Sequence, residues 1–197
     1  NSIGLENPGV EEFVKEKINS MNNLGTEIFV NLGGNTIEEY VESAKILNDY
    51  EFSAIELNIS CPNVKEGGMA FGMEKDSAAK VVREVMKVTN KKVFVKLSPN
   101  AGDIVGIAKA VETEGADGLS LINTILGMAI DFEREEIVFK NTYAGLSGAA
   151  VKPIALRILH QVAKNVEIPI IGMGGITNYK DVLEFLMAGA SAVEVGT

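Results

Sequence analysis

The sequence predicts an α/β protein, a parallel (β/α)8 TIM barrel present as an incomplete barrel of about strands 3 to 8. Three observations predict it. Short runs rich in Ile, Val, Leu and Phe alternate with helix-period segments along the whole chain. Each run is nearly continuous in apolar residues, as a parallel strand covered by helices must be. Nearly every run also ends in a polar residue or glycine: Asn31, Asn58 with Cys61, Lys96, Asn123, Gly174 and Gly196. Barrels collect chemistry from the carboxyl ends of many strands, whereas an open doubly wound sheet uses mainly its switch point. The barrel is therefore preferred.

Residues 1–197 are expected to form a single (β/α) barrel domain truncated at both termini. The chain opens inside Asn1-Ser2-Ile3-Gly4-Leu5 and stops directly after an apolar strand. Six strands do not close an eight-stranded barrel.

The elements follow in order. Helical spacing of Val10, Phe13, Val14, Ile18 and Met21 predicts a helix over 8–24, with Pro8 near its start. Residues 27–32 form an apolar run bounded by Gly25 and Gly33-Gly34. Thr36, followed three residues on by Glu39, reads as an N-cap for a helix to about Asp49. A strand over 54–60 comes next, with Ile55, Leu57 and Ile59 on one face and Glu56, Asn58 and Ser60 on the other. Pro62 stops it. The glycine-punctuated segment 65–72 has the composition of a lid.

A helix over 75–90 leads to a strand over 92–98, and a helix over 103–115 stops at Gly115. A strand over 118–123 follows. Residues 125–150 break the rhythm as a long excursion with little apolar periodicity, holding the Gly145-Leu146-Ser147-Gly148 turn. A helix over 150–165 carrying His160, a strand over 168–173, a helix over 179–188 and a strand over 192–195 complete the pattern. His160 and the methionines Met69, Met73 and Met86 read as surface or packing residues.

Composition narrows the functional classes. A net charge of −9, from 27 acidic and 18 basic residues, argues against a nucleic-acid partner. No apolar run approaches the roughly 18 residues that span a bilayer, so no membrane association is expected. The single cysteine excludes an intrachain disulfide and makes a reducing cytoplasm the expected location. No metal site is expected.

The strand tips carry the candidate chemistry. Cys61 sits between amides at the end of a strand, where a thiol can react, although a lone cysteine is more often an inert buried residue. Lys96 shares the lumen face with Phe94 and Ser98 and must meet an anion; an ion pair with Glu56 is the structural alternative to a catalytic role. Glycine turns at Gly148, Gly174-Gly175 and Gly196 lie where late barrel loops bind phosphate.

Asn1-Ser2-Ile3-Gly4-Leu5-Glu6-Asn7-Pro8-Gly9, Asn58-Ile59-Ser60-Cys61-Pro62-Asn63, Val95-Lys96-Leu97-Ser98-Pro99, Ile122-Asn123-Thr124 and Gly172-Met173-Gly174-Gly175 together resemble the dihydroorotate dehydrogenase family. The match runs over essentially the whole chain. The cysteine resembles class 1, and Asn7-Pro8-Gly9 is most like the class 1B catalytic subunit. Ala149 and Ala144 depart from the proline and glycine common in the family at those places.

The resemblance implies flavin-dependent oxidation of dihydroorotate to orotate in pyrimidine biosynthesis, with a hydride passing to FMN. It implies Cys61 as general base. It implies Asn1, Ser2, Ile3, Gly4, Leu5, Asn58, Asn63, Asn123 and Thr124 as substrate-binding residues. For FMN it implies Asn31, Asn58, Lys96, Ile122, Gly148, Gly174, Gly175, Gly196 and Thr197. NAD linkage would run through a partner subunit carrying FAD and a [2Fe-2S] iron–sulfur cluster, on a homodimer. A related FMN barrel oxidoreductase acting on a pyrimidine and a non-catalytic barrel subunit are the competing readings.

Overall fold

The computed structural model describes residues 7–60 and 71–196. Six parallel strands form one sheet in the order β1 (Phe29–Leu32), β2 (Ala54–Asn58), β3 (Lys92–Lys96), β4 (Gly118–Leu121), β9 (Ile170–Met173) and β10 (Ala192–Glu194). Spatial order follows chain order, and a helix joins each neighbouring pair. That is the construction of part of a (β/α) barrel, as the apolar runs predict.

The pleat divides every strand between two environments. Ile55 and Leu57 of β2, Val93 and Val95 of β3, and Leu119 and Leu121 of β4 are fully buried on the helix side. Their alternate neighbours Glu56, Asn58, Phe94, Lys96 and Ser120 line the other side. The register places Asn58 beside Lys96 and Lys96 beside Ser120, so three polar groups from three strands share one level.

The helices cover the apolar face side by side, each sending a stripe inward. In α3 (Ile37–Leu47) the buried residues are Tyr40, Ala44 and Leu47, at helical spacing. Thr36 caps it by accepting the Glu39 N–H at 3.2 Å. Ala78, Val81, Val82 and Val85 form the stripe of α4 (Lys75–Met86). Asp103 caps α5 (Ile104–Thr113), which ends at Gly115 with φ +94°. After α6 (Lys152–Ala163), helix α7 (Tyr179–Ala188) begins with a capping box between Asn178 and Asp181. Burying one Leu or Val side chain contributes about 1.5–3 kcal/mol, so these stripes, not helix propensity, hold the layer on the sheet.

Two expectations need correction. The first helix starts at Val10, not residue 8: Gly9 turns the chain at φ +87°, leaving Pro8 outside. It is also not uniform. α1 (Val10–Phe13) runs into a π-helical turn (Val14–Ile18), α2 (Asn19–Met21) and a 3-10 turn (Asn22–Leu24). The wider π turn brings both Val14 and Ile18 into the core.

The excursion over 125–150 is not irregular. It holds the antiparallel pair β5 (Ile125–Met128) with β8 (Tyr143–Leu146), and the short pair β6 (Ile130–Asp131) with β7 (Glu136–Ile137). Its apolar residues are largely solvent-exposed, Phe132 at 82%, so no burial pattern in the sequence announced these strands. Gly145 and Leu146 belong to β8 instead of a turn, and a 3-10 turn (Ala149–Val151) precedes α6, which starts at Lys152.

Candidate active site at the strand tips

Glu56 is the polar centre of the lumen face. Its carboxylate is 5% exposed, and burying a charge is costly unless it is paired and hydrogen-bonded. Three donors meet that requirement. Ser120 Oγ donates to Oε1 at 2.7 Å, Asn31 Nδ2 donates to Oε2, and Lys96 Nζ lies 3.2 Å from the same oxygen. The ion pair anticipated between Lys96 and Glu56 is thus present. A second carboxylate, Glu194 at the end of β10, lies 3.9 Å from Lys96. Burial, followed by the negative charge of Glu56, pushes the Glu194 carboxyl above its ordinary range, with Lys96 opposing.

The amides form a chain across the same end of the sheet. Asn58 Oδ1 accepts from Ser60 Oγ at 2.8 Å, and Asn58 Nδ2 donates to Asn31 Oδ1 at 3.5 Å. Ser60 Oγ in turn accepts from Asn123 Nδ2 at 2.6 Å, while Asn123 Oδ1 takes the Thr124 N–H. Tyr40, reaching in from α3, donates its hydroxyl to the Asn58 carbonyl at 2.8 Å. The structure therefore brings Asn31, Asn58, Lys96 and Asn123 to one rim, as their positions on successive strands predict, with Thr124 next to Asn123.

The glycine turns meet at the start of α6. Gly148, at φ +94°, precedes the 3-10 turn, and Gly174 and Gly175 follow β9 at φ +120° and +76°. A Cβ on Gly175 would stand 2.8 Å from the Gly148 carbonyl oxygen and 2.9 Å from the Lys152 nitrogen. Only bare backbone allows that approach. The first N–H groups of a helix lack intrahelical partners, so this junction suits a phosphate or similar anion.

The Lys152 ammonium does not complete the cradle. It is held by Asp181 at 2.6 Å and Glu184 at 2.8 Å. The Asp181 carboxyl is driven well below the ordinary carboxylate range, first by Lys152 and then by donors from Thr177 and Asn178. This bridge ties the N-terminus of α6 to that of α7, and so fixes the two glycine turns against each other.

Ile122 is buried behind Gly174, and Gly196 lies exposed beyond β10. Cys61, Asn63, Asn1, Ser2, Ile3, Gly4, Leu5 and Thr197 lie outside the described residues, as does most of the lid. Sequence reasoning missed Ser120, Asn100, Glu194 and the Lys152–Asp181 bridge. Asn100 donates to the Thr124 carbonyl at 3.1 Å and accepts the Leu126 N–H at 2.9 Å, pinning the β4–β5 loop. Its place in Ser98-Pro99-Asn100, a turn directly after a strand tip, was the available signal.

A cavity of about 830 Å³ between the first helical segment, β1 and α3 is a separate feature. Of the described strand-tip residues it reaches only Asn31. Among the described residues no cluster of His, Cys, Asp and Glu could hold a metal ion, and no helix is long and apolar enough to cross a membrane.

The strands, their helices and the polar rim define a (β/α)-barrel protein with its candidate site at the carboxyl ends of the strands. A solved structure of a FabK mutant from Thermotoga maritima shares this fold, with a TM-score of 0.55 over 94% of this chain and 48% of that one, at 17% identity. The family model described as dihydroorotate dehydrogenase matches residues 1–197, and the chain belongs to that family. It is 54% identical over its full length to the dihydroorotate dehydrogenase B (NAD(+)) catalytic subunit of Bacteroides thetaiotaomicron. Identity to the proteins of the same name from Shouchella clausii and Thermoanaerobacter pseudethanolicus is 52%. The chain spans about 65% of the length of each of these relatives.

Proposed function

We propose that the whole protein oxidises dihydroorotate to orotate at these strand tips, using FMN. The observation that carries this reading is the convergence of three sets on one end of the sheet: Lys96, the amides Asn58 and Asn123, and the glycine junction at α6. Family membership and the names of the relatives support the same substrate. FMN would supply the hydride acceptor.

The residues fit such a cofactor. Bare backbone at Gly148, Gly174 and Gly175, together with Gly196 and Thr197 after β10, would take the phosphate. Lys96 would present its ammonium to the polar edge of the flavin ring, and Asn31 and Ile122 would flank it. Asn58, Asn123 and Thr124, with Asn63 and residues 1–5, would hold the orotate carboxylate and ring amides. A planar ring with donors and acceptors on its edge needs such paired groups. Cys61 would take the proton from C5 as the hydride leaves C6. NAD linkage would run through a partner subunit carrying FAD and [2Fe-2S], on a cytoplasmic homodimer.

The test is the absorbance of the purified full-length protein under anaerobic conditions. A flavin spectrum bleached by dihydroorotate is expected. Bound FMN that dihydroorotate leaves oxidised would overturn the reading.

A further inference from the structure

We propose that Glu194 is a positioning residue for Lys96: with Glu56 it holds the ammonium between carboxylates from β10 and β2, and its protonation state sets the net charge Lys96 presents to a bound flavin. This rests on the reading that FMN occupies the strand tips.

The geometry distinguishes the two carboxylates. Glu56 is buried and takes donors from Ser120, Asn31 and Lys96 on its two oxygens. Glu194 is 37% exposed at its side chain and lies at 3.9 Å from the ammonium that Glu56 already engages at 3.2 Å. One cation cannot neutralise two carboxylates. When the trio binds a proton, the proton therefore resides on Glu194, whose carboxyl is already biased towards the neutral form by burial and by Glu56.

Among the described residues, the surrounding elements supply no further charge on the lumen side. Glu56 on β2 and Lys96 on β3 are the charged groups that act on Glu194, while β4 offers Ser120 and β9 offers Ile171 and Met173. Helix α7 packs behind β10, with Asp181 and Glu184 both engaged by Lys152. With Glu194 neutral the trio sums to zero. With Glu194 ionised it sums to minus one, and Lys96 is shared between two anions.

Charge that grows on the flavin edge during reduction is then stabilised less well. One added charge at a half-buried site separated by several ångströms is worth about tenfold in an equilibrium. The affinity for reduced relative to oxidised FMN should fall by about that factor as Glu194 ionises.

The experiment compares the wild-type holoprotein with Glu194→Gln by spectroelectrochemical titration of bound FMN across pH. The two profiles should coincide at the acid end and separate by about tenfold at the alkaline end, with reduced FMN held more tightly in the Gln variant. Superimposed profiles, or a constant offset at every pH, would overturn the proposal. A second readout needs no flavin: carboxyl-carbon NMR of the full-length protein stripped of cofactor. Glu194 should titrate above the ordinary glutamate range, and higher still in Lys96→Met. A Glu194 signal in the ordinary range, indifferent to Lys96→Met, also overturns it. Diverging profiles in a protein that dihydroorotate does not reduce would sink the substrate reading alone. Superimposed profiles in one that it does reduce would sink only the role of Glu194.

Discussion

Lys96 on β3 and Glu56 on β2 are paired at 3.2 Å with side-chain exposures of 15% and 6%, and Glu56 also holds Ser120 and Asn31. A pair this buried joins packing to chemistry, because the ammonium that neutralises Glu56 is also the cation at the strand tips. Removing one partner of a buried pair costs about 3–5 kcal/mol, whereas replacing both by apolar groups is often neutral.

Lys96→Ala should therefore lower stability by about 3 kcal/mol and slow flavin reduction by about 10²-fold, the range for a lost charge-stabilising donor. The double variant Lys96→Met with Glu56→Leu should recover stability in urea unfolding without recovering the rate. Wild-type reduction in the double variant would leave Lys96 as only the counter-ion of Glu56.

Gly175→Ala tests the cradle. At φ +76°, with the Gly148 carbonyl 2.8 Å from the new Cβ, the backbone must shift. Left-handed strain alone costs about 1–2 kcal/mol, and the displaced turn should weaken FMN retention at least tenfold. Gly148→Ala, whose Cβ would meet nothing within 4 Å, carries backbone strain of its own (φ +94°, ψ −174°) but no clash. Equal flavin retention by the two variants would count against the close approach of the turns. Equilibrium dialysis of FMN measures both.

The six parallel strands and the α3 to α7 layer were legible because each buries a continuous apolar face, a signal carried by consecutive residues. The rim was legible for a similar reason: Asn31, Asn58, Lys96 and Asn123 each follow an apolar run. What the sequence hid depends on contacts between distant segments. Ser120 takes its role from Glu56, 64 positions away in the chain. The Lys152–Asp181 bridge joins the starts of two helices 29 positions apart in the chain. The β5–β8 strands were hidden because their apolar side chains face solvent and leave no buried period to read.

Asp181 should make stability acid-sensitive. Its folded carboxyl is depressed by Lys152 and by the Thr177 donors, so the ionised form favours folding. That contribution is fully present above the ordinary aspartate range, near 4, and is lost as pH falls through the depressed value. Asp181→Asn should destabilise the protein at neutral pH, and the gap from wild type should narrow steadily below about pH 4. Thermal unfolding at stepped pH reads this directly, and a gap independent of pH would remove the ion pair from the account of α6–α7 docking.

Cys61 remains the test of the chemistry. The residues before it are fixed: β2 ends at Asn58, and Ser60 is held between Asn58 and Asn123. Replacing the thiol by Ala should leave those amides and the glycine junction intact, so FMN content and orotate affinity should hold. Proton removal from C5 should suffer. Loss of a general base costs about 10²–10⁴-fold, and Cys61→Ser should fall between Ala and wild type, since a hydroxyl keeps the shape but is a far weaker base. A free thiol is only a few per cent ionised at pH 7, with a pKa of about 8.5. The wild-type rate should accordingly climb with pH to a plateau, and the Ala variant should lack that limb. Anaerobic stopped-flow reduction by dihydroorotate across pH gives the comparison. An Ala variant as fast as wild type, on the same pH curve, would leave the thiol without a part in the proton transfer.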